Sequence, residues 1–261
     1  MFRATRRTIL LSLGLGLVLI APTAVSATHS WGPPYHWART ANPFTLKLGD
    51  NLSSTWDPIL VTSRNDWNVS TVLETAIVDG SSSRPKQCRA KAGTIQVCNA
   101  TYGNNGWLGV ASISITGGTH ITQATVKVND TYFNNPPYDT TPWRNMVMCQ
   151  EVGHAFGLDH QDVTFGNANL GSCMDYTNDP STNQHPNQHD YDWLEVIYGH
   201  TDSTTTIAAA PAAAPAAAAG GTADSSWGDL VAVTNGGHGA TFVLDLGYGL
   251  RTVTYVLWAD R

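Results

Sequence analysis

Charge is scarce in this chain. Only 13% of its 261 residues are Asp, Glu, Lys or Arg, with four Lys and three Glu in all. That is too little charge for a disordered acidic tail or a coiled coil. Cationic charge is scarcer still. The first 27 residues hold three Arg and no acid, so the remainder sets 20 acids against 11 bases. A net-negative surface argues against sequence-independent nucleic-acid binding, which needs cations against phosphates. Long apolar runs are missing too. Ile9 to Ile20 spans 12 residues, short of the roughly 20 that cross a bilayer as a helix. Arg3, Arg6 and Arg7 precede this run and small residues follow it to Ala27, which is the form of a cleaved secretory signal. The mature chain is therefore expected to be secreted, with no membrane partner after cleavage. Its four Cys are few, but that compartment lets them oxidise.

Aromatic and uncharged polar residues are plentiful, including nine Trp and nine Tyr. Residues 28–42, rich in Pro, Trp and His, read as an extended lead-in. Phe44, Leu46 and Leu48 alternate with Thr45 and Lys47, which predicts a strand. A short helix is expected from about Ser54 to Ser63. Further strands are expected over Thr71–Val78, around Ile95–Val97, and over Trp107–Ile115 and Ile121–Val128. That makes five strands before any strong helix. Thr141 as N-cap and Pro142 at the first helical position then open a helix that stops at Gly157. Another helix fits Gln188–Tyr198, where Tyr191, Leu194 and Tyr198 recur at helical spacing. Residues 201–226 are Ala-, Pro-, Thr- and Gly-rich and read as a low-complexity linker. Residues 227–261 alternate again, as a few antiparallel strands joined at Asn235-Gly236-Gly237 and Gly247-Tyr248-Gly249. This tail is small for an independent domain; docking on the main domain, residues 28–200, and binding something else both stay open.

The chemistry concentrates in Gln150-Glu151-Val152-Gly153-His154-Ala155-Phe156-Gly157-Leu158-Asp159-His160. On a helix, positions 150 and 154 lie one turn apart on one face, where two donors can grip one ion. Glu151 beside them can take a proton from water. Gly157 can turn left-handed without steric cost, which sends the chain back so that His160 reaches the same ion. An open fourth position is what catalytic zinc requires. Of the remaining histidines, His120, His185, His189 and His200 are spare, and one of them can stand in for Gln150 if the fold brings it near. Asp159 either orients a histidine or caps the turn.

This stretch resembles the metzincin metallopeptidases, nearest the matrixin group, whose pattern is H-E-x-x-H-x-x-G-x-x-H followed by a Met-turn. Glu151, His154, Gly157 and His160 match, and Ser172-Cys173-Met174-Asp175-Tyr176 resembles the Met-turn. Gln150 departs from the pattern, since an amide oxygen stands where the family has an imidazole, and neutral oxygen is the weaker zinc donor. The resemblance covers roughly residues 43–200. It implies an α+β zincin-like fold with a five-stranded mixed sheet, an active-site helix, a Met-turn and a C-terminal helix, followed by the β-rich tail. It implies Zn2+ held by Gln150, His154 and His160 above Met174, with Glu151 as general base and Tyr176 as a further zinc ligand or oxyanion donor. It also implies a polypeptide substrate laid along an edge strand, within the segment Gly106–Asn129. Four Cys allow three connectivities. In a metzincin-like fold the active-site helix lies over the Met-turn, which implies Cys149–Cys173 and leaves Cys88–Cys98.

The expected function is therefore a secreted zinc-dependent endopeptidase. Two rivals come from other classes. One is a pseudopeptidase that binds peptides or surface polymers without cutting them. The other is a structural or adhesive secreted protein whose Trp-rich ends do the binding.

Overall fold

The computed structural model describes residues 34–207 and 226–259. The expected signal peptide and most of the expected linker lie outside the described residues. The strands are β1 (His36–Trp37), β2 (Phe44–Asn51), β3 (Leu73–Asp79), β4 (Thr94–Ala100), β5 (Trp107–Thr116), β6 (His120–Asn129), β7 (Asp229–Val233), β8 (Gly239–Gly247) and β9 (Leu250–Trp258). The helices are α1 (Asp57–Trp67), α2 (Asp130–Phe133), α3 (Thr141–Ala155) and α4 (Gln188–Tyr198).

All the strands join one sheet in the order β3-β2-β4-β6-β5-β9-β8-β7, with β1 paired to β6. The β3–β2, β2–β4 and β4–β6 pairs are parallel. From β6 through β5, β9, β8 and β7 every neighbour is antiparallel. The sheet is mixed, as expected, but among the described residues it has nine strands rather than five. The lead-in contributes β1 and the tail contributes three. Local periodicity could not reveal this, because β1 is two residues long and β9 finds its partner, β5, far away in sequence.

Side-chain alternation makes the strands. Phe44, Leu46 and Leu48 of β2 are buried while Thr45 and Lys47 are exposed, the two-residue period of a half-buried strand. Helix α1 begins at Asp57, later than expected, with Pro58 in its first turn, where a missing N–H costs little. Helix α3 is capped at Thr140, one residue before the expected Thr141, and Pro142 again falls in the first turn. Helix α3 packs on β5, β6 and α1.

The end of α3 is held by the lead-in and by α4. Trp37 Nε1 donates to the Ala155 carbonyl (3.0 Å) and the Tyr198 hydroxyl to the Phe156 carbonyl (2.6 Å), satisfying acceptors that a helix terminus leaves open. Segment 201–207 packs on the same lead-in, through Asp202 N–H to Arg39 O (2.8 Å) and Thr206 N–H to Ala38 O (2.9 Å). Among the described residues no helix is long and apolar enough to cross a membrane.

Candidate metal centre

Eleven of the 15 residues of α3 are buried, and Gln150, Glu151 and His154 are each 0% exposed. Burying such groups costs free energy unless they are partnered, so their partners decide what the site is. Gln150 Nε2 donates to the Cys173 carbonyl (3.0 Å). Gln150 Oε1 is buried and accepts nothing. His154 Nδ1 lies 2.9 Å from the Leu158 carbonyl. A carbonyl only accepts, so Nδ1 carries the proton and Nε2 presents a lone pair. Asp159 Oδ1 accepts from the His160 backbone N–H (2.8 Å) and lies 3.2 Å from His160 Nδ1, which makes no well-formed hydrogen bond. The two Nε2 atoms then face each other at 3.2 Å. Zinc–nitrogen bonds of 2.0–2.1 Å at a tetrahedral angle set two ligand nitrogens about 3.3 Å apart, so the spacing fits a shared ion.

Glycines make this approach possible. Gly157 has φ +100°, and a Cβ there would sit 2.1 Å from the Tyr35 carbonyl. It therefore supplies both the left-handed turn that returns His160 and room for the lead-in. A Cβ on Gly153 would meet Met174 Sδ at 2.7 Å and the Trp67 ring at 2.8 Å, so its bareness lets Met174 lie directly against α3. The turn around Met174 is built from below. Met174 N–H donates to Ser172 Oγ (2.9 Å), and Ser172 Oγ donates to Asp190 Oδ2 (2.6 Å) at the start of α4. Asp175 Oδ2 accepts from Leu170 N–H (2.8 Å) and Asn183 Nδ2 (2.9 Å). Cys149–Cys173 joins α3 to this turn and Cys88–Cys98 joins β4 to the loop before it, with Cα separations of 6.0 and 5.8 Å.

Glu151 points from α3 under β5. A Cβ on Gly109 of β5 would lie 2.4 Å from Glu151 Oε1. No well-formed hydrogen bond reaches either carboxylate oxygen. Burial pushes its pKa well above the ordinary carboxylate range, against a smaller downward pull from the Ala111 N–H. Such a group takes up a proton more readily than a surface glutamate.

The tail closes the site. Strand β9 pairs with β5, placing Tyr255 opposite Ala111. The Tyr255 ring lies 4.1 Å from the His154 ring and 4.5 Å from the His160 ring, centroid to centroid. Tyr176 stacks on His160 from another side, at 4.2 Å and 26°. A Cβ on Gly239 of β8 would strike the Tyr176 and Tyr255 hydroxyls at 1.7 and 2.5 Å. Burial pushes the Tyr176 pKa well up, with the Thr234 hydroxyl pulling the other way. His238 stacks on Phe165 at 3.8 Å, a further contact between the tail and the loop after α3.

No family model and no curated protein matches the chain. Among solved structures it is similar to high choriolytic enzyme 1, a hatching enzyme zinc-protease from the medaka Oryzias latipes. The TM-score is 0.35 at 11% identity, covering 67% of this chain and 99% of that one.

Gln150, Glu151, His154, His160, Gly157, Met174 and Tyr176 are thus brought together. The spare histidines are not among them. His185 pairs with Asp66 at 2.7 Å, His189 accepts from Trp193 Nε1 (3.2 Å), and His120 and His200 gather with His36 and Asp202. Sequence reasoning missed Gly109, Gly153 and Tyr255. A glycine inside a strand does hint at close approach, so Gly109 carried a signal. Tyr255 carried none, because only long-range pairing brings it to the histidines.

Proposed function

We propose that the chain is a secreted zinc-dependent endopeptidase that its own C-terminal strand holds latent. The observation that carries this reading is the pair of Nε2 atoms 3.2 Å apart, together with two buried groups of the same helix that make no well-formed hydrogen bond, Gln150 Oε1 and the Glu151 carboxylate. His154 and His160 would hold the ion, with Gln150 Oε1 as third donor. Bound zinc supplies a Lewis acid that polarises the scissile carbonyl and acidifies water. Glu151 removes the proton from the attacking water and delivers it to the leaving amine, and its raised pKa suits a group that must hold the proton in between. Tyr176, which stacks on His160, would donate its hydroxyl proton to a developing oxyanion once Gly239 has moved away. The substrate is an extended polypeptide that pairs with β5, where β9 now lies.

The test is cleavage of an unfolded protein by the full chain and by the full chain carrying Thr254→Pro. Proline in the middle of β9 removes a ladder N–H and loosens the strand. Cleavage is expected from Thr254→Pro, weakly or not at all from wild type, and not from Thr254→Pro/Glu151→Ala. Adding Gln150→His is expected to tighten zinc binding and to preserve or raise hydrolysis, because an imidazole replaces an amide oxygen. Zinc bound without cleavage in any of these variants would replace the reading with a peptide-binding pseudopeptidase. No zinc at all at His154 and His160 would leave a structural or adhesive protein.

A further inference from the structure

We propose a second metal site, built from His36, His200 and Asp202 with His120 beside Asp202, that takes zinc and clasps the two ends of the main domain. His36 belongs to β1, His120 opens β6, and His200 and Asp202 follow α4. The fold brings them together from 166 residues apart. Ligand atoms of His36, His200 and Asp202 all lie within 4.8 Å of one another. His36 Nε2 is 3.3 Å from Asp202 Oδ1 and 3.3 Å from His200 Nε2. His120 Nε2 approaches the same Oδ1 at 3.3 Å, and His200 Nε2 at 3.8 Å. Ligands 2.0–2.2 Å from a tetrahedral zinc stand about 3.3–3.5 Å apart. Three of these four separations fall at that value.

Hydrogen-bond accounting points the same way. His36 Nδ1 lies 2.9 Å from the Pro34 carbonyl, which can only accept. The proton is on Nδ1, so Nε2 of the neutral ring presents a lone pair to a carboxylate oxygen. Two acceptors facing each other at 3.3 Å call for a cation between them, either a second proton on His36 or a metal. The supporting shell is that of a ligating group. Asp202 Oδ2 is taken by Arg39 Nη1 (3.0 Å) and Arg39 N–H (3.1 Å), which aims Oδ1 at the histidines. Ligating histidines and carboxylates are commonly held by such outer partners. The rings of His120 and His200 lie at 79° and 86° to that of His36, so neither stacks on it. His36 is buried, whereas the side chains of His120 and His200 are 30% and 49% exposed. That gives the ion a route in from solvent.

None of these residues touches the Gln150–His154–His160 group, so this site stands or falls separately from the proposed peptidase centre. The experiment is zinc analysis of the full chain after dialysis against a zinc buffer, with Co2+ absorption as a geometric readout. Wild type is expected to hold two equivalents and His160→Ala one. In the His160→Ala background, added zinc raises the melting temperature and Co2+ gives the visible bands of a tetrahedral site. Adding His200→Ala, at a half-exposed position that the fold does not need, abolishes both signals. Adding His120→Ala instead weakens binding on the order of 10-fold or more. If His160→Ala holds no zinc, or if His200→Ala leaves its zinc and its melting temperature unchanged, the site is a protonated His36–Asp202 ion pair and the proposal is overturned. A wild type with one equivalent that survives His160→Ala would leave this site standing and remove the other.

Discussion

The residues that decide the site are chosen as much for what they leave out as for what they supply. Glu151 can lie under β5 because position 109 has no side chain, and a Cβ there would sit 2.4 Å from its Oε1. Gly109→Ala is therefore expected to cost about 1–3 kcal/mol, as overpacking does. On the proposed peptidase reading it should also lower hydrolysis in the Thr254→Pro background by roughly 10²-fold, by moving the proposed general base. Shortening the partner separates the two effects: Glu151→Asp added to Gly109→Ala should recover stability but not hydrolysis. Gly166→Ala, where an added Cβ meets nothing within 4 Å, is the neutral control. If Gly109→Ala melts and cleaves like its parent, Glu151 is not held by β5. At this scale much was legible. Glu151, His154, Gly157, His160 and Met174 announce themselves by type and spacing, because helical geometry converts spacing into a shared face. Tyr255 and the His36–Asp202 pair did not, because Tyr255 lies more than 90 residues from both site histidines and His36 lies 166 residues from Asp202, and no local period encodes such pairings.

Among the elements, α4 matters for the proposed metal centre although it contributes none of the proposed ligands. Its first turn is closed by a capping box between Asn187 and Asp190. Asp190 Oδ2 also accepts from Ser172 Oγ, which in turn accepts from Met174 N–H. The helix start thereby sets the turn under His154. The sequence showed the helix and the turn separately but not this link. Burial pushes the Asp190 pKa up to about 6, against the pull of its hydrogen bonds from Ser172 and Asn187. The unfolded value is about 3.9. Below about pH 4 both states hold the proton, and this contribution to stability is complete. Between about pH 4 and 6 the unfolded chain releases the proton and the folded chain keeps it, so stability falls as pH rises, by roughly 3 kcal/mol in all. Above that window the contribution is gone. Asp190→Asn keeps an acceptor oxygen and cannot titrate. Denaturant unfolding of metal-free protein from pH 4 to 7 should show wild type losing that increment relative to Asp190→Asn. Parallel stability curves for the two proteins would show that Asp190 is ionised in the folded state throughout.

The whole molecule is organised around two closures of unequal accessibility. In one, the lead-in, the start of β6 and residues 200–207 meet at His36, His120, His200 and Asp202, with two of the histidines partly open to solvent. In the other, β9 lies on β5 and Tyr255 covers His154 and His160, which are 0% and 2% exposed. Strand β9 is central, flanked by β5 and β8, so uncovering the histidines requires its pairing with β5 to open. Zinc should therefore leave the two sites at different rates when a chelator is added. The exposed clasp releases its ion quickly, in a phase that His200→Ala removes. The covered centre releases its ion slowly, at the rate at which β9 lifts. Thr254→Pro acts on that second step alone. Thr254 pairs with Ser112 of β5 and Phe242 of β8, and losing a ladder hydrogen bond there, about 1–3 kcal/mol, corresponds to up to roughly 10²-fold in the opening equilibrium. The slow phase should quicken by up to that factor while the fast phase keeps its rate. Tyr255→Ala, which removes the covering ring and leaves the backbone ladder, should quicken it less. Stopped-flow with a chromophoric chelator measures both phases. A single phase from a wild type that holds two equivalents would mean that β9 does not cover the centre, and equal acceleration of both phases by Thr254→Pro would mean that the substitution unfolds the molecule instead of opening one strand.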